Sequence, residues 1–368
     1  MTIIIKSFNE NPKYKEDCFI YVRMKKLPLL TLISWICFLF YAGIGIFLSG
    51  FLLVKVEVNR TSSCRDPLFS ENWSLNIYSK NVSQNQLVDF CWSKPRFSRA
   101  VILIIDALKY DFAQFDSKVK DPQHFQNKIK VFSEFIQSSP ANSRLYAFRA
   151  DPPTTTMQRI KGFTTGTLPT FVDIGNNFAS SAILEDNLIS QMQKNVKRKD
   201  WDIIIAHFLG VDHCGHRYGP DHPAMAEKLT QMDQVIRSVA RRIENDTLLV
   251  VFGDHGMTDT GDHGGESQKE TDAALFLYTP SMLVSTEQEL VEPMVVPQID
   301  LTPTLALLLG IPIPYSSIGK VMVQLIPSGD LLNHNAQELE QAEALFINAK
   351  QVLKMGFHYY GMSYYELM

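Results

Sequence analysis

The side chains best able to do chemistry are carboxylates and imidazoles crowded into one stretch. Six of the nine histidines fall between His207 and His263. Asp212-His213-Cys214-Gly215-His216 sets an aspartate and a histidine four residues apart. Asp254-His255-Gly256 and Asp262-His263-Gly264-Gly265 add two Asp-His pairs, with glycines that let backbone approach a bound group. A third acid, Asp106, closes the apolar run Ala-Val-Ile-Leu-Ile-Ile. Oxygen and imidazole donors suit zinc or manganese, and the absence of paired cysteines among them argues against a structural Cys site. Six or more such ligands are enough for two ions.

The second element is Asp151-Pro-Pro-Thr-Thr-Thr156-Met-Gln-Arg-Ile-Lys-Gly-Phe-Thr-Thr-Gly166. A hydroxyl is a weak nucleophile unless a metal or base activates it. Hydroxyl residues also begin helices well. Both roles are compatible, because the free N–H groups of a helix start bind phosphate oxygens. The run of threonines leaves the nucleophile's register open.

These residues need a scaffold. Apolar runs at residues 100–105, 203–205, 247–252 and 273–278 read as strands covered on both faces. Three of them end near Asp106, Asp212 and Asp254, and open α/β sheets place ligands beyond the carboxyl ends of strands. Between the runs lie helical patterns. Met225, Leu229, Met232, Val235, Ile236, Val239 and Ile243 recur at three- and four-residue steps after Pro223. A second pattern has Thr302 as its cap and Pro303 at the first helical position, and stops at Gly310. A third, residues 337–353, reads as a surface helix. The order implies an α/β fold with a mostly parallel sheet between helix layers.

The chain has 368 residues, 45% of them apolar and 20% charged, which excludes a disordered or collagen-like chain. Its net charge of −4 carries no basic excess and excludes the usual nucleic-acid binder. Residues 27–54 hold no charged side chain, and Lys13, Lys15, Arg23, Lys25 and Lys26 precede them. A signal-peptide core is usually ~7–15 residues long, so this block reads as a retained anchor. The basic flank puts the N-terminus in the cytosol and the remainder across the membrane. Asn59, Asn72, Asn81 and Asn245 head glycosylation sequons, which fits a secretory lumen. Cys64 and Cys91 could pair in that oxidising compartment. The organisation read from this is a cytosolic N-terminus (1–26), an anchor (27–54), a lumenal lead-in (55–98), a catalytic domain (99–330) and a helical C-terminal segment (331–368).

Ile105-Asp106-Ala-Leu-Lys-Tyr-Asp111, Thr154-Thr-Thr-Met-Gln-Arg-Ile-Lys161, Val211-Asp-His-Cys-Gly-His216 and Gly253-Asp-His-Gly-Met with Gly-Asp-His263-Gly-Gly together resemble the alkaline phosphatase superfamily. Within it they are similar to the GPI ethanolamine phosphate transferases, over roughly residues 28–360. The resemblance implies an alkaline-phosphatase-like sheet and two divalent ions, zinc by preference. One ion falls to Asp106, Asp254, His255 and the threonine hydroxyl, the other to Asp212, His216 and His263. It makes Thr156, ten residues before Gly166, the nucleophile, with Thr155 as the alternative. It places His213 and Asp262 behind the ligands. It implies transfer of phosphoethanolamine from phosphatidylethanolamine to a mannose, the third, of a GPI precursor through a phospho-threonine. It also implies residence in the endoplasmic reticulum membrane and a small multispanning stabilising subunit.

The chain departs from the family near residues 195–199. There it lacks a stretch, including a Gly-Asp-Asp-Thr-Trp motif, that family members carry. The loss would remove at least one strand and expose apolar surface. A hydrolase of the same superfamily and a shortened, inactive form are the competing readings.

Overall fold

The computed structural model describes residues 12–51, 58–66, 91–168, 183–195, 202–284, 294–326 and 334–360. Two units separate, Met1–Lys55 and Val56–Met368.

The described residues of the first unit form one helix, α1 (Pro12–Phe51). Its stretch Pro28–Ser49 is 22 residues long and apolar enough to cross a membrane by length and composition. At ~1.5 Å per residue it reaches roughly 33 Å, enough for a ~30 Å hydrocarbon core. Trp35 stacks on Phe38 within this stretch, with ring centroids 5.5 Å apart.

The second unit is built on a six-stranded sheet. In chain order the strands are β1 (Arg99–Ile105), β2 (Ser143–Arg149), β3 (Ile203–Phe208), β4 (Thr247–Phe252), β5 (Asp272–Tyr278) and β6 (Val295–Pro297). Their order across the sheet is β3-β1-β4-β5-β2-β6. β1 pairs parallel with β3 and β4, and β2 pairs parallel with β6. β5 runs antiparallel to both of its neighbours, the exception in an otherwise parallel sheet, as the expected mostly parallel order allows. A parallel return needs a crossover of a dozen or more residues, usually a helix. Between β4 and β5 the chain spends its residues on the two Asp-His loops and forms only α8 (Gln268–Thr271), so it turns back.

The remaining helices are α2 (Tyr110–Ala113), α3 (Val131–Ser138), α4 (Thr156–Thr165), α5 (Leu188–Asn195), α6 (Gly210–Tyr218), α7 (Pro223–Ala240), α9 (Leu301–Leu308) and α10 (His334–Tyr360). They lie in two layers. Alternate residues of β1 feed two cores: Ala100, Ile102 and Ile104 pack with α4, α5, α9 and α10, while Val101, Leu103 and Ile105 pack with α3, α6 and α7. This is the period-two geometry of a strand buried on both faces.

β3 departs from that pattern. It lies at the sheet edge, and Ile204 and Ile205 are 41% and 42% exposed. Its three isoleucines read as a covered strand, yet among the described residues it is covered only in part: Ile203, Ala206 and Phe208 pack half-buried against the two cores. The segment before it, 196–201, lies outside the described residues. Ile204 and Ile205 are the apolar side chains exposed at this edge.

Other boundaries moved. α9 begins at Leu301 with Asp300 at its cap position, and Thr302 instead donates its hydroxyl to the Phe163 carbonyl. α10 is longer than the expected 337–353 and is not a surface helix throughout. Its Asn348 and Gln351 are buried, accepting from Val321 N and donating to the Tyr315 carbonyl.

Candidate active site

Asp106 follows the last residue of β1. The next residue, Ala107, takes the left-handed conformation (φ 57°), and its N–H donates to Asp254 Oδ1 at 3.0 Å. A non-glycine residue in that region is strained by about 1–3 kcal/mol, and such strain gathers at functional sites. Gly253 makes the approach possible. A Cβ there would stand 2.3 Å from the Leu108 carbonyl oxygen, so only glycine lets the end of β4 lie against this turn. Two carboxylates from two strands thus meet in one place.

Thr156 is the first residue of α4, and its hydroxyl oxygen lies 3.5 and 3.4 Å from the two Asp106 oxygens and 3.3 Å from His255 Nε2. Phe163 anchors this helix, packing edge-on against Phe252 of β4 with centroids 4.8 Å apart. Truncating such a buried ring costs about 3–5 kcal/mol. Gly166 ends the helix in the left-handed conformation (φ 72°). The other threonines face elsewhere. Thr154 is fully buried and bonds to Gly264 and Gly265, while Thr155 donates to Gln158. Of the three, the hydroxyl that meets the carboxylate–imidazole cluster is that of Thr156.

His255 is fully buried beside Asp254, its Nδ1 2.9 Å from the Gly256 carbonyl. A carbonyl only accepts, so Nδ1 carries the proton and Nε2 is free to bind. Nε2 stands 3.4 Å from Asp106 Oδ1 and 3.4 Å from Asp254 Oδ2. The His255 ring stacks on His263 with centroids 3.9 Å apart, which joins this group to the next.

Asp212 and His216 lie one turn apart on α6 and share a face. The expectation that Asp212 ends a strand gives way here, since β3 stops at Phe208 and Asp212 sits in the first turn of a helix. Val211 and Cys214 on the opposite face are buried in the core, so Cys214 takes no part in the site. Gly261 (φ 85°) seats the His263 loop on this helix, where an added Cβ would meet the Gly215 carbonyl oxygen at 1.9 Å. His263 Nε2 then lies 3.0 Å from His216 Nε2 and 3.3 Å from Asp212 Oδ1. Asp262 turns into its own loop, where its side chain accepts from Thr260 at 2.8 Å, and His213 is exposed.

The electrostatics suit cations. Burial, and then the neighbouring Asp106 charge, hold the Asp254 carboxyl above its usual range. Asp254 Oδ2 and Asp212 Oδ1 are buried and accept no hydrogen bond. Asp212, His216 and His263 bring one ligand atom each within 4.8 Å of one another, and so do Asp106, Asp212 and His255. Orphaned buried oxygens beside imidazole nitrogens fit divalent ions of the zinc type. Five of the expected residues thus make two adjoining groups that could each hold a metal ion, with Asp212 common to both.

His207 was not among the expected site residues. Its Nε2 lies 3.1 Å from Asp106 Oδ2, and that bond, against the cost of burial, raises its pKa. The pairing of β1 and β3 sets Ile105 opposite Phe208, which brings His207 level with the Asp106 turn. Parallel strands align their carboxyl ends, so a histidine at the end of the second apolar run was the available signal.

Cys64 and Cys91 form a disulfide, with Cα atoms 4.6 Å apart. Asn59 and Asn245 are exposed, whereas Asn72 and Asn81 lie outside the described residues.

Residues 107–275 match the family described as Type I phosphodiesterase / nucleotide pyrophosphatase. The chain is 44% identical to the human protein named GPI ethanolamine phosphate transferase 3, catalytic subunit, over 94% of its own length and 36% of that relative's. It is 35% identical to GPI ethanolamine phosphate transferase 3 of Saccharomyces cerevisiae, over 86% of this chain and 35% of the relative. The chain belongs to the GPI ethanolamine phosphate transferase family. It spans about a third of the length of these GPI ethanolamine phosphate transferases. The alignment with the human transferase runs over 405 residues, more than this chain's 368, so the relative carries internal segments that this chain lacks. Among solved structures, the periplasmic domain of the phosphoethanolamine transferase EptC from Campylobacter jejuni is 12% identical, with a TM-score of 0.41, and covers 66% of this chain and 95% of its own. At that score the likeness adds nothing further.

Proposed function

We propose that this chain transfers phosphoethanolamine from phosphatidylethanolamine to a mannose, the third, of a GPI-anchor precursor, by way of a phosphoethanolamine ester on Thr156. The observation that carries the reading is the Thr156 hydroxyl at a helix start, 3.3–3.5 Å from His255 and Asp106. Asp106, Asp254, His255 and Thr156 would hold one divalent ion, and Asp212, His216 and His263 the other. Zinc suits this mixed donor set. When bound, the ions supply positive charge against the phosphate oxygens and acidify a nearby hydroxyl.

The chain's own residues do the rest. Thr156 Oγ1 gives up its proton and forms the new bond to phosphorus while the bond from phosphorus to the diacylglycerol oxygen breaks, and that oxygen takes up a proton in exchange. Backbone N–H groups in the first turn of α4 face no carbonyl within the helix and orient the phosphate oxygens. In the second half the mannose oxygen loses its proton and bonds to phosphorus as the bond from phosphorus to Thr156 Oγ1 breaks, and Thr156 regains its hydroxyl proton. The helix Pro28–Ser49 would tether the enzyme to the endoplasmic reticulum membrane with its catalytic unit in the lumen, where both lipid substrates confine the search. A small multispanning subunit is the proposed partner.

A hydrolase of the same superfamily differs only in admitting water in place of mannose. The test is a turnover assay with phosphatidylethanolamine and a three-mannose GPI intermediate, on this chain and on a version with the human relative's extra segment restored near residues 195–199. Transfer to the glycolipid supports the reading. Release of free phosphoethanolamine alone, from both versions, overturns it in favour of the hydrolase.

A further inference from the structure

The three threonines at the start of α4 have separate tasks, and the first reaches furthest from its own segment. Thr154 is fully buried. Its hydroxyl donates to the Gly265 carbonyl at 2.8 Å and accepts from Gly264 N at 2.9 Å. Its carbonyl faces His263 Nδ1 at 2.8 Å. One residue therefore makes three hydrogen bonds to residues 263–265.

Two consequences follow. A carbonyl can only accept, so His263 Nδ1 carries the proton and Nε2 is left as the free nitrogen. That nitrogen is the one beside Asp212 Oδ1 and His216 Nε2. The next two residues, meanwhile, are glycines, and Gly264 has φ 116°. Glycine holds its backbone weakly, so this loop needs an outside clamp. The Thr154 hydroxyl supplies it from both sides, and Glu270 Oε1 adds a bond to Gly265 N at 2.7 Å.

We propose that Thr154 is a positioning residue that fixes the direction of His263 Nε2 and so couples one metal-ligand group to the segment carrying Thr156. It is buried and touches no substrate. The inference rests on the reading of Asp212, His216 and His263 as ligands. Partners that orient a ligating histidine typically contribute about 10–100-fold to metal affinity.

The test uses the full chain and zinc alone, with binding measured by competition against a chelating dye. Thr154→Val keeps the shape and loses both hydroxyl bonds, whereas Thr154→Ser keeps them. The expected result is two ions bound by wild type and by Thr154→Ser with similar affinities. In Thr154→Val one ion weakens by about 10–100-fold while the other is unchanged. In a His263→Ala background, Thr154→Val should have no further effect on the remaining ion. Equal loss of both ions, or none, overturns the proposal while leaving the ligand assignment standing. A wild-type chain that binds no zinc instead overturns the ligand reading itself, and the proposal with it. Should the valine variant not fold, nitrogen NMR of the zinc-loaded wild type decides: zinc on His263 Nε2 with the proton on Nδ1 supports the proposal, and zinc on Nδ1 overturns it.

Discussion

Nε2 of His216 stands 3.0 Å from Nε2 of His263, although 47 residues separate them in the chain. Two imidazole nitrogens at that distance share either a proton or a cation. Asp212 Oδ1, 3.3–3.4 Å from both, adds a negative oxygen to the pair. Zinc should therefore bind and raise the melting temperature, by RT ln(1 + [L]/Kd), about 2.7 kcal/mol at a hundredfold excess over Kd. The measurement is thermal unfolding with and without chelator. An unchanged midpoint would count against the ligand set.

The Thr156 hydroxyl is half-buried and makes its closest contacts at 3.3–3.5 Å, so it contributes little to holding the fold together. Thr156→Ala should abolish transfer while shifting the midpoint by less than about 0.5 kcal/mol of stability, the usual range for sites without a structural role. Thr156→Ser should retain part of the activity. Full activity in the alanine variant would move the nucleophile elsewhere.

Asp254 presents a different balance. Burial disfavours its charge, and Asp106 adds repulsion. In the metal-free protein, Asp254→Asn removes both costs and keeps an oxygen for the Ala107 N–H. Its metal-free melting temperature should lie above that of wild type, while zinc binding and transfer are lost. A lower midpoint would show that the carboxylate stabilises the empty site.

Asp186 gives a pH test on a carboxyl whose partners are none of the ligands. It accepts from Ser62 N and Tyr315 N at 2.8 Å and from Gln191. Burial raises its carboxyl above the ordinary value despite these bonds. A carboxyl raised in the folded state binds its proton more tightly there than in the unfolded chain. Its ionisation therefore costs stability as pH rises from about 3.8 through the folded value. Asp186→Asn escapes that cost. The difference in stability, variant minus wild type, should rise from pH 4 towards neutrality. A fall over the same range would contradict the sign.

The site was more legible in the sequence than its frame. Asp-His pairs and the threonine run announce themselves by residue type, and their partners follow from chemistry that few other combinations can do. β2 escaped notice because Ser-Arg-Leu-Tyr-Ala-Phe-Arg mixes arginines into an apolar run. The direction of β5 depends on what lies between it and β4, which residue types do not declare. Ile203, Ile204 and Ile205 look buried, and their edge position is set by what packs beside β3. His207 was visible as a residue, but its partner Asp106 lies 101 positions away.

If Thr156 takes the phosphoethanolamine group, that ester can be trapped. The zinc-loaded protein is incubated with phosphatidylethanolamine alone, quenched in acid, digested and analysed by mass spectrometry. A phosphoethanolamine ester on Thr156, missing from Thr156→Ala, is the predicted result. An ester on Thr155, or an unmodified Thr156 peptide under conditions that support transfer, would contradict it.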